Sequence, residues 1–270
     1  MGVVYRVLNR ATGQLQAMKR VPEAARTRQT IDAFELEYQV LASLDHPRVV
    51  RVYDYGVDAD GPYYTMELLE GQDMRRAAPL PYRNACTYLR DIATSLALLH
   101  GRRLLHRDLS PSNVRLTPDG HCKLLDFGAL TPFGSPSNIV GTPPLIAPEA
   151  LDGVALDQRT DLYALGALAY WMLTGRHAYP ARSIAELPVT WSQALVPPSR
   201  YASDTPPELD ALVLALLNRD PLARPASAAE VIARFEVIGE LEPEDAAERD
   251  RLAQSFFTSP RFVGRSLELR

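Results

Sequence analysis

The sequence predicts an α+β chain, with strands gathered at its start and helices dominating the rest. Three observations carry that prediction. Residues 2–21 alternate apolar and polar positions as a strand hairpin does. The stretch from Asp161 to Gly175 is apolar on every face, the pattern of a helix buried on all sides. Between them, Val114 to Leu125 reads as a second hairpin, with strand alternation either side of a Pro118-Asp119-Gly120 turn.

That second hairpin has a chemical consequence. Hairpins bring their ends together, so Asn113 and Asp126 become neighbours although they are far apart in sequence. An asparagine and an aspartate side by side offer hard oxygen ligands of the kind Mg²⁺ takes, and Mg²⁺ in turn suits a polyphosphate. Asp108, on the stretch just before, is placed to receive or orient a hydroxyl.

Bulk properties narrow the field. The chain has 270 residues, 46% hydrophobic and 23% charged, a globular composition with ample core for one domain of two lobes or two small domains. A net charge of −4 argues against nucleic-acid binding through a basic face. Cys86 and Cys122 have no metal-ligand spacing and read as buried thiols of a reducing, cytoplasmic protein, with a disulfide as the minor alternative. No signal peptide is expected, because the N-terminus already reads as strand. The longest apolar run, Leu162 to Leu173, is too short for a bilayer. Of 29 basic residues only Lys19 and Lys123 are lysine. Whatever drives that bias towards arginine, Lys19 has escaped it.

The elements follow in order. Met1 to Val21 forms strand, turn at Asn9 to Gly13, and strand. Thr30 to Leu44 has a helical period, with Ile31, Phe34, Tyr38 and Leu41 on one face. Glu37 points along that apolar face, where a carboxylate needs a cation. His46 to Gly56 is a turn and strand, and Pro62 to Gly71 a strand ending in a linker. Tyr82 to Leu99 is an amphipathic helix. Ala129 to Ala147 contains no charged residue, and Glu236 to Arg251 reads as an acidic linker or solvated helix.

The run H-R-D-L-x-x-x-N at His106 to Asn113, followed by D-F-G at Asp126 to Gly128, resembles the catalytic core of eukaryotic-like, bacterial-type serine/threonine protein kinases. Other segments join that resemblance: Ala17-Met18-Lys19, the Gly-Thr-Pro-x-x-x-Ala-Pro-Glu of Gly141 to Glu149, and the Asp-Pro-x-x-Arg-Pro of Asp220 to Pro225. It implies a bilobal protein-kinase fold, with a small β-rich N lobe at 1–69 and a larger, mainly helical C lobe at 70–238. Residues 239–270 would be a linker leading into a following ATPase module. It also implies ATP and Mg²⁺ as cofactors and a protein with a Ser/Thr acceptor as substrate.

Roles follow residue by residue. Lys19 would hold the α- and β-phosphates, and Glu37 would pair with it. Asp126 and Asn113 would bind Mg²⁺. Asp108 would orient the attacking hydroxyl, with Thr142 contacting it. The Glu67 carbonyl and Leu69 amide would meet adenine beside Met66. Gly2 would be the last glycine of a phosphate-covering loop, so the resemblance implies truncation within that loop and loss of the first strand. His106 and Asp161 would be structural, and Arg224 would pair with Glu149. Thr131, Ser135 or Ser137 would be an autophosphorylation site docking near Arg107.

One departure stands out. Serine/threonine kinases usually carry lysine two positions after the catalytic aspartate, and tyrosine kinases arginine four positions after. Here Ser110 and Ser112 occupy both places. Two alternatives to a protein kinase are therefore kept: a degenerate kinase acting as a nucleotide-binding or scaffold module, and a small-molecule phosphotransferase. The second lacks the Gly-Thr-Pro to Ala-Pro-Glu segment and its arginine partner.

Overall fold

A computed structural model describes residues 2–134 and 138–242. They divide into two compact units at Glu70 and Gly71.

The N-terminal unit is a four-stranded antiparallel sheet with one helix. Strands β1 (Val3–Leu8) and β2 (Leu15–Arg20) form the expected hairpin. The Asn9 side chain accepts the N–H groups of Ala11 and Thr12 at 3.0 and 3.2 Å, an Asx-type turn that reverses the chain. Helix α1 spans Arg28–Ser43. It starts earlier than its apolar period suggests because Thr27 caps it, taking the Thr30 N–H at 3.2 Å. Its buried residues are Phe34, Glu37, Tyr38 and Leu41, the predicted face with the carboxylate in its middle, while Ile31 at the start of that face is only half-buried. Strands β3 (Val52–Asp58) and β4 (Gly61–Glu67) complete the sheet in the order β1-β2-β4-β3. β3 begins later than its sequence pattern implies, and its register slips between Val52 and Tyr55.

The C-terminal unit is mainly helical. Strand β5 (Gln72–Asp73) leads directly into α2 (Met74–Ala77), whose cap is the Asp73 carboxylate on the Arg75 N–H at 2.9 Å. Helix α3 (Tyr82–Gly101) buries the predicted Ala85, Leu89, Ile92, Leu96 and Leu99. Two-residue strands β6 (Leu104–Leu105) and β9 (Thr131–Pro132) pair with each other, while β5 joins the hairpin β7 (Val114–Leu116) and β8 (Cys122–Leu124). Helix α4 (Gln158–Thr174) buries every residue except Gln158, Arg159, Trp171 and Thr174, as its all-round apolar sequence requires. Asp157 caps its start, and Gly175 ends it in the left-handed conformation.

Beyond it come α5 (Leu187–Trp191), α6 (Pro207–Leu216) and α7 (Ala228–Gly239). Helix α7 packs along α3. Of the two readings of the acidic segment from Glu236, linker or solvated helix, its first residues take the second, since they form the partly exposed last turn of α7. The buried stripe of Ala228, Val231 and Phe235 continues to Gly239 and keeps the chain helical. The remainder of the expected linker and the reading of an ATPase module fall on residues 243–270, outside the described residues.

Among the described residues no helix is long and apolar enough to cross a membrane. Both cysteines are buried and outside any disulfide, and burial raises the Cys86 pKa to about 12, which leaves it unreactive.

Candidate active site

In the C-terminal unit the hairpin does what its sequence implies. Val114 pairs with Leu124 and Leu116 with Cys122, and the Leu125 N–H reaches the Asn113 carbonyl at 3.0 Å. Asn113 and the residue before Asp126 are thus backbone partners. Asn113 sits at the end of a 3₁₀ turn, Pro111–Asn113, which turns its side chain onto Asp108. Its Nδ2 donates to the Asp108 carbonyl at 2.8 Å and to Asp108 Oδ2 at 3.2 Å. With the nitrogen committed, the amide oxygen is the group left to meet a cation.

Asp108 is held from two sides. Thr142 Oγ1 donates to its Oδ1 at 3.2 Å, opposite the Asn113 contact on Oδ2. The approach of Thr142 depends on Gly141, whose φ is +119°. A β-carbon there would lie 2.9 Å from the Arg107 carbonyl oxygen. Burial raises the Asp108 pKa, and the nearby charge of Asp126 pushes it the same way. The hydrogen bonds from Thr142 and Asn113 oppose that rise.

The loop carrying Asp108 is anchored beneath by α4. Asp161 is fully buried and accepts the backbone N–H groups of both His106 and Arg107 at 2.9 Å, with His100 Nε2 also 2.9 Å away. Burial alone would raise its pKa. The His100 hydrogen bond leads the contacts that outweigh burial and hold it below the ordinary value. This anchoring sustains Arg107 at φ 65°, a conformation that costs a non-glycine residue about 1–2 kcal/mol. His106 is structural, as expected. Its Nδ1 accepts the Asp108 N–H at 3.3 Å, its ring meets Phe127 edge-on at 5.0 Å, and burial keeps it neutral.

In the N-terminal unit Lys19 and Glu37 form the ion pair expected of them, with Nζ 2.6 Å from Oε1 and 2.9 Å from Oε2. Both are buried. Gly2 lies against the stem of Lys19, and a β-carbon there would sit 3.0 Å from Lys19 Cγ. Glu67 ends β4, its side chain accepting the Arg51 N–H at 2.8 Å, and Leu69 follows, half-buried in an otherwise exposed stretch before β5.

Three features escaped the sequence. Ser110 and Ser112 hydrogen-bond each other at 2.7 Å beside Asp108. Asp91 of α3 is fully buried and pins the hairpin, taking the Cys122 N–H at 3.1 Å with His121 Nδ1 at 3.0 Å. Tyr64 donates to Glu37 Oε1 at 3.0 Å. Thr131 stands in β9 opposite Leu105, while Ser135 and Ser137 lie outside the described residues. Arg107 donates to the carbonyl of Asn138, where a phosphate was expected.

The donor set fits Mg²⁺ carried by a polyphosphate better than a resident metal. Among the described residues no three His, Cys, Asp or Glu side chains cluster as a metal site. One carboxylate and one amide oxygen, with the rest of the coordination left to phosphate and water, is how Mg²⁺ is usually held.

Comparison with known proteins agrees with this geometry. A family model described as the protein kinase domain matches residues 1–235. The chain is 33% identical over 248 residues to the serine/threonine-protein kinase PknL of Mycobacterium tuberculosis, covering 88% of this chain and 62% of that protein. It is 32% identical over 233 residues to the serine/threonine-protein kinase PknB of Mycolicibacterium smegmatis, covering 79% and 37% respectively. For the serine/threonine-protein kinase PrkC of Bacillus subtilis the figures are 29% over 238 residues, 84% and 36%. The chain thus spans less than two thirds of the length of these relatives. With the kinase domain matched over most of its length, on a β-rich unit followed by a mainly helical one, the chain belongs to the protein kinase family.

Proposed function

We propose that the chain transfers the γ-phosphoryl group of ATP to a serine or threonine hydroxyl of a protein, in bacterial signalling within the reducing cytoplasm. The observation that carries this is Asp108, held between Thr142 at 3.2 Å and Asn113 at 3.2 Å with its pKa raised by burial. A half-buried carboxylate with a fixed plane is what a hydroxyl nucleophile needs for orientation and proton removal. As the acceptor oxygen bonds to phosphorus, the β–γ bridging P–O bond breaks. ADP leaves, and the hydroxyl proton passes to Asp108.

Other residues hold the nucleotide. Lys19, oriented by Glu37, takes the α- and β-phosphates. The Glu67 carbonyl and Leu69 amide take adenine, and Gly2 lets the backbone approach the phosphates. Asn113 and Asp126 hold Mg²⁺, which supplies charge neutralisation on the polyphosphate when bound. Autophosphorylation at Thr131, Ser135 or Ser137 would give Arg107 a dianion in place of the neutral Asn138 carbonyl.

One observation favours a second reading, a nucleotide-binding scaffold. The Ser110 and Ser112 hydroxyls bond each other where a cation would face the transferred group. Labelled ATP with a generic basic protein substrate separates the two. Incorporation that disappears in Lys19→Met supports transfer, whereas nucleotide binding without incorporation supports the scaffold.

Transfer also carries a pH signature. Asp108 must be ionised to accept a proton, and its pKa lies above the ordinary 3.8. The acid limb of kcat/KM is therefore expected above that value. A profile still flat at about pH 4 would contradict the role given to Asp108.

A further inference from the structure

Tyr64 is fully buried and takes no part in the chemistry proposed above. It lies directly opposite Lys19 in the β2–β4 ladder, so the two side chains leave the sheet on the same face. Both meet α1 at Glu37. Lys19 Nζ spans both carboxylate oxygens, and the Tyr64 hydroxyl donates to Oε1 at 3.0 Å. The Tyr64 ring is itself fixed, 5.0 Å from Phe34 and 5.9 Å from Tyr38 between ring centroids. Lys19 Nζ stands 5.9 Å from its centroid.

We propose that Tyr64 is a positioning residue, its hydroxyl fixing the Glu37 carboxylate and through it the Lys19 amine. An ammonium on a four-carbon stem meets a carboxylate as a point charge and does little to fix its plane. A phenol on a rigid ring, donating from another direction, does fix it. The hydroxyl also matters when the amine turns to a ligand. Glu37 is 3% exposed, and a buried carboxylate that loses a donor is costly. Tyr64 keeps a donor on Oε1 while Lys19 engages phosphate oxygens, so α1 stays seated. This last step rests on the phosphate-holding role given to Lys19.

The test uses the scarcity of lysine. Lys19 and Lys123 are the only two lysines, so lysine-selective ¹⁵Nζ/¹³Cε labelling gives two assignable signals. In Tyr64→Phe the Lys19 side-chain order parameter is expected to fall while that of Lys123 is unchanged. The Kd for MgATP is expected to weaken by about 3–10-fold, and in a Glu37→Gln background the same substitution should add almost nothing. An unchanged Lys19 signal in Tyr64→Phe overturns the proposal. So does an equal loss in the parent and Glu37→Gln backgrounds, which would mark a general loosening of the core. A drop in Lys19 order with unchanged MgATP affinity supports the tether and overturns instead the phosphate role of Lys19.

Discussion

Asp108→Asn is expected to slow phosphoryl transfer by about 10²–10⁴-fold, the usual worth of a positioned general base, while MgATP affinity stays within about twofold. Asparagine keeps the shape and can still accept from Thr142, which now bonds Oδ1 at 3.2 Å. It cannot take a proton. The folded chain should tolerate the change well. Asp108 has a folded-state pKa above its unfolded value, so the folded state binds that proton more tightly. Stability from the group is therefore fully present below the unfolded value and lost as pH rises through the folded one. At neutral pH the ionised group is a burden, and removing its charge should leave the melting temperature equal or higher. Single-turnover transfer, calorimetric nucleotide titration and a thermal melt together check the claim. Transfer at the parental rate would sink the mechanism.

The second large effect concerns stability. Arg224→Ala is expected to destabilise the C-terminal unit by about 3–5 kcal/mol, the cost of stranding one partner of a buried ion pair. Arg224 donates Nη1 to Glu149 Oε1 and Nη2 to Oε2, each at 2.7 Å, across 75 positions of sequence. Its remaining donors reach the carbonyls of Asn218 at 2.7 Å and Arg159 at 2.8 Å, and its guanidinium stacks 4.9 Å from the Tyr163 centroid. Glu149 would keep only the Thr160 hydroxyl among these contacts, at 3.0 Å. A melting temperature lower by on the order of 10 °C is expected. Pairing Arg224→Met with Glu149→Gln should cost less than the two changes summed, because no charge is then left alone. An unchanged melt in Arg224→Ala would show the pair to be idle.

Much of this was legible in the sequence for physical reasons. The proposed hydroxyl and Mg²⁺ chemistry needs particular oxygens, and Asp108, Asn113 and Asp126 offer them at a spacing the sequence displays. The hairpin between them announces itself through alternation and a Pro-Asp-Gly turn. Helix α4 shows itself because burial on every side leaves no polar face. The two ion pairs came from family likeness rather than from pattern, since nothing in a linear sequence joins Lys19 to Glu37 or Glu149 to Arg224.

What stayed hidden is equally physical. β5, β6 and β9 are two residues each, too short to express a period. Asp91 sits amid an apolar helix face, and only the fold reveals that the Cys122 N–H waits for it. Tyr64 reads as one more aromatic strand residue, because its hydroxyl finds Glu37 through tertiary contact alone.

Asp161 reaches from the central helix to two consecutive amides of the loop that carries Asp108. Helix and loop therefore share a single cooperative fate. A fluctuation that lifts the first turn of α4 is expected to loosen the Asp108 loop with it, because the two amides would lose their shared acceptor.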